Sequence, residues 1–167
     1  GMRFSQSATL LQVDAGIPSR PKVWICDEAT SGESDEGTSI DEDATAIVGM
    51  LSRNGLHWSD LDHAYGDRPW EGKKGLARKD NKKMMRALER AYDMAPGSLF
   101  PRLKTAKTGK DRGGSKSVSY GTRFLHRCMV PVGCFHITRR CEVGLVAVQQ
   151  WDGRSDSIHK HILDTWR

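Results

Sequence analysis

Strand-like and helix-like segments alternate along this chain, and that alternation limits the fold more than any single motif does. The runs ATLLQVD (8–14) and KVWICDEAT (22–30) are rich in β-branched and aromatic residues and read as strands. AGIPSRP between them supplies the Gly and Pro of a turn, so the two are expected to pair as an antiparallel hairpin. After the polar loop SGESDEGT, the sequence SIDE (39–42) fits a capping box, with Ser39 at the N-cap and Glu42 three residues on. Ile47, Met50 and Leu51 follow at helical spacing, and Asn54-Gly55 is a stop signal.

The run DHAYGD is too short for anything but a strand, and its C-terminal end carries Asp67. A second helix is expected over 80–94, with Met84, Met85, Leu88 and Ala91 on its inner face. LFPRLKTA (99–106) reads as a further strand. KTGKDRGGSKS is a basic, Gly-rich loop, and a helix carrying Val118, Leu125, Cys128 and Met129 follows it. CFHIT (134–138) is a short strand, EVGLVAVQQW (142–151) a helix, and HKHILDTWR opens a last helix. The order ββαβαβαβαα predicts an α/β fold. At 167 residues a single domain (1–167) is the simplest organisation, large enough to fold without disulfides or metal.

Charge divides the chain. Residues 27–43 hold eight acids and no Lys or Arg, whereas 68–127 are rich in both, within a net charge of +5. The second region suits a polyanion, although a solvated surface gives the same composition. Cys26, Cys128, Cys134 and Cys141 form no C-x-x-C pair, and no signal peptide or long apolar run is present. A reducing, cytoplasmic setting away from membranes is the expectation. Cys134, His136 and Cys141 match no zinc-finger or ribbon spacing, and Cys is often a small core residue.

Two constellations carry possible chemistry. Gly109, Gly114, Ser115, Lys116 and Ser117 resemble a P-loop, but that motif needs Gly-Lys-Ser/Thr contiguous, and Ser115 interrupts it. Contact with nucleic-acid phosphates suits the loop better, because Lys104, Lys107, Lys110, Arg112 and Lys116 fall within it or beside it. The carboxylates are more informative. Phosphodiester hydrolysis needs an activated water and a counter-charge for the leaving oxygen, which two magnesium or manganese ions about 3.5–4 Å apart supply. Such ions take carboxylate oxygens from separate elements. Asp67 at a strand end and Asp164 on the last helix are candidates, although a single acid is more often a cap or a surface charge.

VWICDEATSG, a helix, LDHAYGDRPWEGKKG, a basic loop and then HKHILD together resemble the C-terminal nuclease domain of bacteriophage terminase large subunits. The resemblance spans nearly the whole chain on loose motifs. It implies a ribonuclease H-like mixed sheet flanked by helices, with Mg2+ or Mn2+ held by acids on the sheet. It also implies double-stranded DNA as substrate, in a phage- or prophage-encoded protein of the bacterial cytoplasm. Other terminase or portal components would be partners. Matched position by position, Asp67 and Asp164 become metal ligands and His161, one turn before Asp164, a catalytic candidate. Arg68, Lys73 and Lys74 then face DNA together with the basic loop.

One departure stands against these matches. The family's first metal-binding acid lies on an opening strand that precedes the one matched to ATLLQVD, so the chain is expected to lack it and to be N-terminally truncated. The family's ATPase domain is likewise expected to be missing, in keeping with the interrupted P-loop. Asp14 matches a turn rather than that acid, and Asp27 and Glu28 are weaker substitutes. The 63–67 strand is expected beside the missing one, leaving a gap in the sheet. The expected function is a metal-dependent DNA endonuclease domain of a packaging terminase, with metal binding weak and cutting slow or absent for want of that acid. The alternatives are a non-catalytic DNA-binding module or prophage remnant, and a nucleotide-binding protein built on the Gly-rich loop.

Overall fold

The computed structural model describes residues 7–14, 16–17, 21–30, 38–66, 74–105 and 133–150, with the backbone alone of 74–79 and 105. They form an α/β protein whose described parts fall into two compact units. One unit contains strands β1 (Ser7–Asp14), β2 (Lys22–Thr30, whose last residue falls in the other unit) and β5 (Phe135–Ile137), with helix α3 (Glu142–Gln150). The other contains helix α1 (Ile40–Arg53), a 3-10 turn (Trp58–Asp60), β3 (Tyr65–Gly66), α2 (Lys74–Ala91) and β4 (Lys104–Thr105).

In the first unit the strands form a mixed sheet in the order β1-β2-β5. β2 runs parallel to β5, with Val23 opposite Phe135, Trp24 opposite His136 and Ile25 opposite Ile137. Bonds from Val23 N–H to the Cys134 carbonyl (2.8 Å) and from Thr138 N–H to the Ile25 carbonyl (3.0 Å) close the two ends of this pairing. The period of two in VWIC has a direct consequence: Val23 and Ile25 are buried with Cys141, and Phe135 and Ile137 pack against them. Trp24 and His136 fall on the alternate face and stack with centroids 5.4 Å apart. The expected hairpin is therefore present, but β2 is a central strand flanked by β5. The 65–66 strand does not join this sheet.

In the second unit the capping box forms as the sequence indicates. Ser39 N–H donates to the Glu42 carboxylate (2.6 Å), and Glu42 N–H donates to Ser39 Oγ (3.3 Å). The bonds from Ser39, backbone first, hold the Glu42 carboxyl below its ordinary pKa. Ala44, Met50 and Leu51 are buried, while Ile47 is only half-buried. The helix gives way at Asn54 and Gly55, the latter with φ +69°.

Helix α2 starts at Lys74, six residues before the expected start. Gly75 and a run of cations obscure a stretch that otherwise consists of strong helix formers. It ends at Ala91 rather than at 94, because Asp93 takes a left-handed φ of 53°. Met94 N–H then reaches the Glu89 carbonyl and Asp93 N–H the Arg90 carbonyl, a Schellman closure. Met85 and Leu88 are buried as expected, but Ala91 is exposed and the buried set instead includes Ala87 and Glu89.

β3 and β4 form their own two-stranded parallel sheet, Tyr65 opposite Lys104 and Gly66 opposite Thr105. The expected strand over 99–106 shrinks to two residues, since Pro101 has no N–H for a ladder and Arg102 turns to an acid on α2. Gly66 is required by close approach: a Cβ there would meet the Asn81 side chain and lie 3.2 Å from Leu103. Trp58 ties the unit together, its indole N–H donating to the Pro101 carbonyl (2.7 Å) and its backbone N–H to the Tyr92 hydroxyl (3.2 Å).

Leu88 is fully buried. Truncation of Leu88→Ala should cost about 2–5 kcal/mol in urea unfolding. Ser39→Ala should cost about 1 kcal/mol through loss of the cap. A Leu88→Ala loss of less than that of Ser39→Ala would mean that α2 does not carry the core of its unit.

Candidate functional site

Of the residues that sequence reasoning singled out, few lie among the described ones. Asp67, Arg68, Lys73, Lys107, Lys110, Arg112, Lys116, His161 and Asp164 fall outside them. Lys74 is the first residue of α2. Lys104 opens β4, is exposed, and donates its backbone N–H to the Ala64 carbonyl at 2.9 Å. Asp67 follows in sequence directly on the last residue of β3.

The substitute acids have structural employment. Asp14 ends β1, exposed, and its carboxylate accepts from Gly16 N–H (2.9 Å), a local turn. Asp27 is completely buried and accepts from Glu28 N–H (2.8 Å). Glu28, 7% exposed, receives the N–H groups of Val143 (2.6 Å) and Gly144 (3.1 Å) at the start of α3. A carboxylate at a helix N-terminus satisfies donors that have no partner within the helix. Burial nevertheless dominates and raises the Glu28 pKa, opposed by those two N–H groups and reinforced by the charges of Asp27 and Glu142.

Cys134 and Cys141 are buried, and Cys141 Sγ lies 3.6 Å from both the Ile25 carbonyl and Thr138 Oγ1. These are the contacts of a core thiol. His136 Nε2 meets the Gly133 carbonyl at 2.9 Å. Among the described residues no three His, Cys, Asp or Glu side chains are grouped so as to hold a metal ion. No described helix is long and apolar enough to cross a membrane.

A site that sequence reasoning missed lies on α2. Glu89 is 2% exposed, yet its carboxylate accepts from Gly97 N–H and from Arg102 Nη1, each at 2.8 Å. Burial alone would raise its pKa. The N–H of Gly97, the bond from Arg102, the N–H of Leu99 and the Arg102 charge together hold it below the ordinary value. Gly97 has φ +93°, a left-handed backbone conformation that favours glycine. Beside this lock, α2 and the segment returning from it enclose a cleft of about 510 Å³. The available signal was the spacing of Glu89, four residues after inward-facing Met85, which puts an acid on the buried stripe.

No family model, curated protein or solved structure matches this chain.

The two buried glutamates should respond to pH with opposite signs. Glu28 keeps its proton to a higher pH when folded, so stability should fall as pH rises from its ordinary 4.5 through the raised folded value. Glu89 releases its proton more readily when folded, so its contribution is present above 4.5 and lost as pH falls through the lowered folded value. In urea unfolding across the acidic range, Glu28→Gln should remove the first slope and Glu89→Gln the second. Slopes of the same sign for both glutamates would contradict this assignment.

Proposed function

We propose that this chain is a metal-dependent DNA endonuclease of the phage terminase type, with a ribonuclease H-like fold. The observation that carries the reading is that β3 ends at Gly66 in a parallel pair, so Asp67 follows the C-terminal end of a strand. Sites in α/β sheets gather at such ends. Asp67 and Asp164 would hold Mg2+ or Mn2+, which supply a water nucleophile at neutral pH and stabilise the leaving oxygen. His161, one turn before Asp164 in sequence, is the candidate acceptor of the water's proton. Water oxygen attacks phosphorus, the P–O bond to the leaving strand breaks, and that oxygen takes up a proton.

Double-stranded DNA is the proposed substrate, held by Arg68, Lys73, Lys74 and the basic segment from Lys104 to Lys116. Terminase or portal components are the proposed partners in a phage-infected bacterial cytoplasm. Nicking of supercoiled plasmid in Mn2+ is expected to be slow, and it should be abolished by EDTA and by Asp67→Asn or Asp164→Asn. Each asparagine keeps the shape but removes the charge that holds the metal. Undiminished nicking in Asp67→Asn would remove Asp67 from the site.

A second reading, a DNA-binding module without catalysis, is favoured by the buried acids. Asp27, Glu28, Asp43 and Glu89 all accept hydrogen bonds within the protein. Such a module would bind DNA equally well in EDTA. In either case affinity should fall with salt, with a log–log slope of about −0.9 per phosphate contact. Lys110→Ala with Arg112→Ala should flatten that slope by up to about two units. An unchanged slope would return both residues to a solvated surface.

A further inference from the structure

The cleft beside Glu89 is chemically asymmetric. Lys82 and Arg86 are four residues apart on α2, hence neighbours on one helix face, and both are exposed. Neither forms an ion pair among the described residues. The third cation, Arg102, comes from the segment between α2 and β4. It is held by Glu89 on one side, and its guanidinium carbon lies 5.1 Å from the Phe100 ring centroid. A guanidinium carries five N–H donors in a planar fork, so the bond from Nη1 leaves others to present. The one acid lining the cleft, Glu89, is already matched by Arg102 and Gly97. The remaining lining carries the positive charge of Lys82 and Arg86.

The rest of the wall is not a bare cationic surface. Met85, Pro96 and Leu103 contribute apolar area, and Asn81 contributes an amide. Leu103 N–H points at Met85 Sδ, 3.3 Å away, an acceptor much weaker than an oxygen. The volume falls within the range of small-ligand sites, about 300–1,000 Å³. The charges of Lys82 and Arg86 and the remaining N–H donors of Arg102 suit a phosphate, which offers more charge and more acceptor oxygens than a carboxylate and matches an arginine fork. Apolar wall beside a phosphate site suits a base or sugar.

We propose that this cleft binds a nucleotide, its phosphate between Lys82, Arg86 and Arg102 and its base or sugar against Met85, Pro96 and Leu103. The ligand is either a free nucleotide or one unit of a single strand. The site involves neither Asp67 nor Asp164 and does not rest on the nuclease reading.

Fluorescence anisotropy on the whole chain tests it, using a dye-labelled deoxynucleoside monophosphate and a dye-labelled short single-stranded oligonucleotide, both without divalent metal. Lys82→Ala and Arg86→Ala, at exposed positions that leave the core intact, should each weaken binding by about ten-fold or more. Lys83→Ala removes the same charge one residue away from the cleft lining and should leave affinity within about two-fold. Binding of the mononucleotide with this pattern assigns a free nucleotide, and binding of the oligonucleotide alone with this pattern assigns a strand. Equal losses in Lys83→Ala and Arg86→Ala, or no binding of either probe, would overturn the proposal.

Discussion

A buried carboxylate needs donors, and the unit built on α1 and α2 is arranged around the donors that Glu89 requires. An unpaired charge at that depth would be strongly destabilising. Gly97 and Arg102 meet the need, and in doing so they draw the chain leaving α2 back against the helix that it has just left. That return fixes where β4 begins, and so fixes its parallel pairing with β3. The Schellman closure at Asp93 starts the same turn from the helix side. Glu28 does comparable work in the other unit, where it meets the first N–H groups of α3 and ties that helix to the end of β2. In both units, an acid on a regular element accepts backbone N–H groups from a part of the chain beyond that element.

This division explains what could be read from the sequence. Local signals were legible: the β-branched and aromatic run of β2, the Ser39–Glu42 box, the Asn54-Gly55 stop and the helix at 142 all rest on residues near one another in the chain. Beyond the β1–β2 hairpin, the pairing of strands was not. β2 lies beside β5, more than a hundred residues later, and short strands such as FHI carry too little pattern to name a partner. Two strand lengths were overestimated for the same reason. Apolar content around 63–67 and 99–106 suggests strands, but Gly66 packs against Asn81 and Leu103, and Arg102 turns to Glu89.

The candidate site was legible only as chemistry. Residue types at strand and helix ends suggested metal-bound carboxylates, and Asp27 and Glu28 stood in that list as substitutes. Their geometry shows why residue type alone misleads: the Glu28 oxygens face backbone N–H groups, the same donors that an anion would find at a helix N-terminus. A strand-end acid facing a helix start neutralises that helix end. A strand-end acid facing other acids invites a cation. The distinction lies in what the fold places opposite, and no spacing along the chain encodes it.

The same reasoning makes the cations of α2 more informative than the buried acids. The pairing of Glu89 with Arg102 and Gly97 engages the one acid among the described lining residues, so the structural lock and the positive cleft are one feature seen from two sides. It also makes Arg102 different in kind from the two helix cations. Held by Glu89 and packed on Phe100, Arg102 has already given up much of the freedom that ligand binding would otherwise remove. Lys82 and Arg86 are exposed and must be ordered on binding. Arg102 would therefore set where a phosphate rests, while the helix cations draw it in and hold its charge.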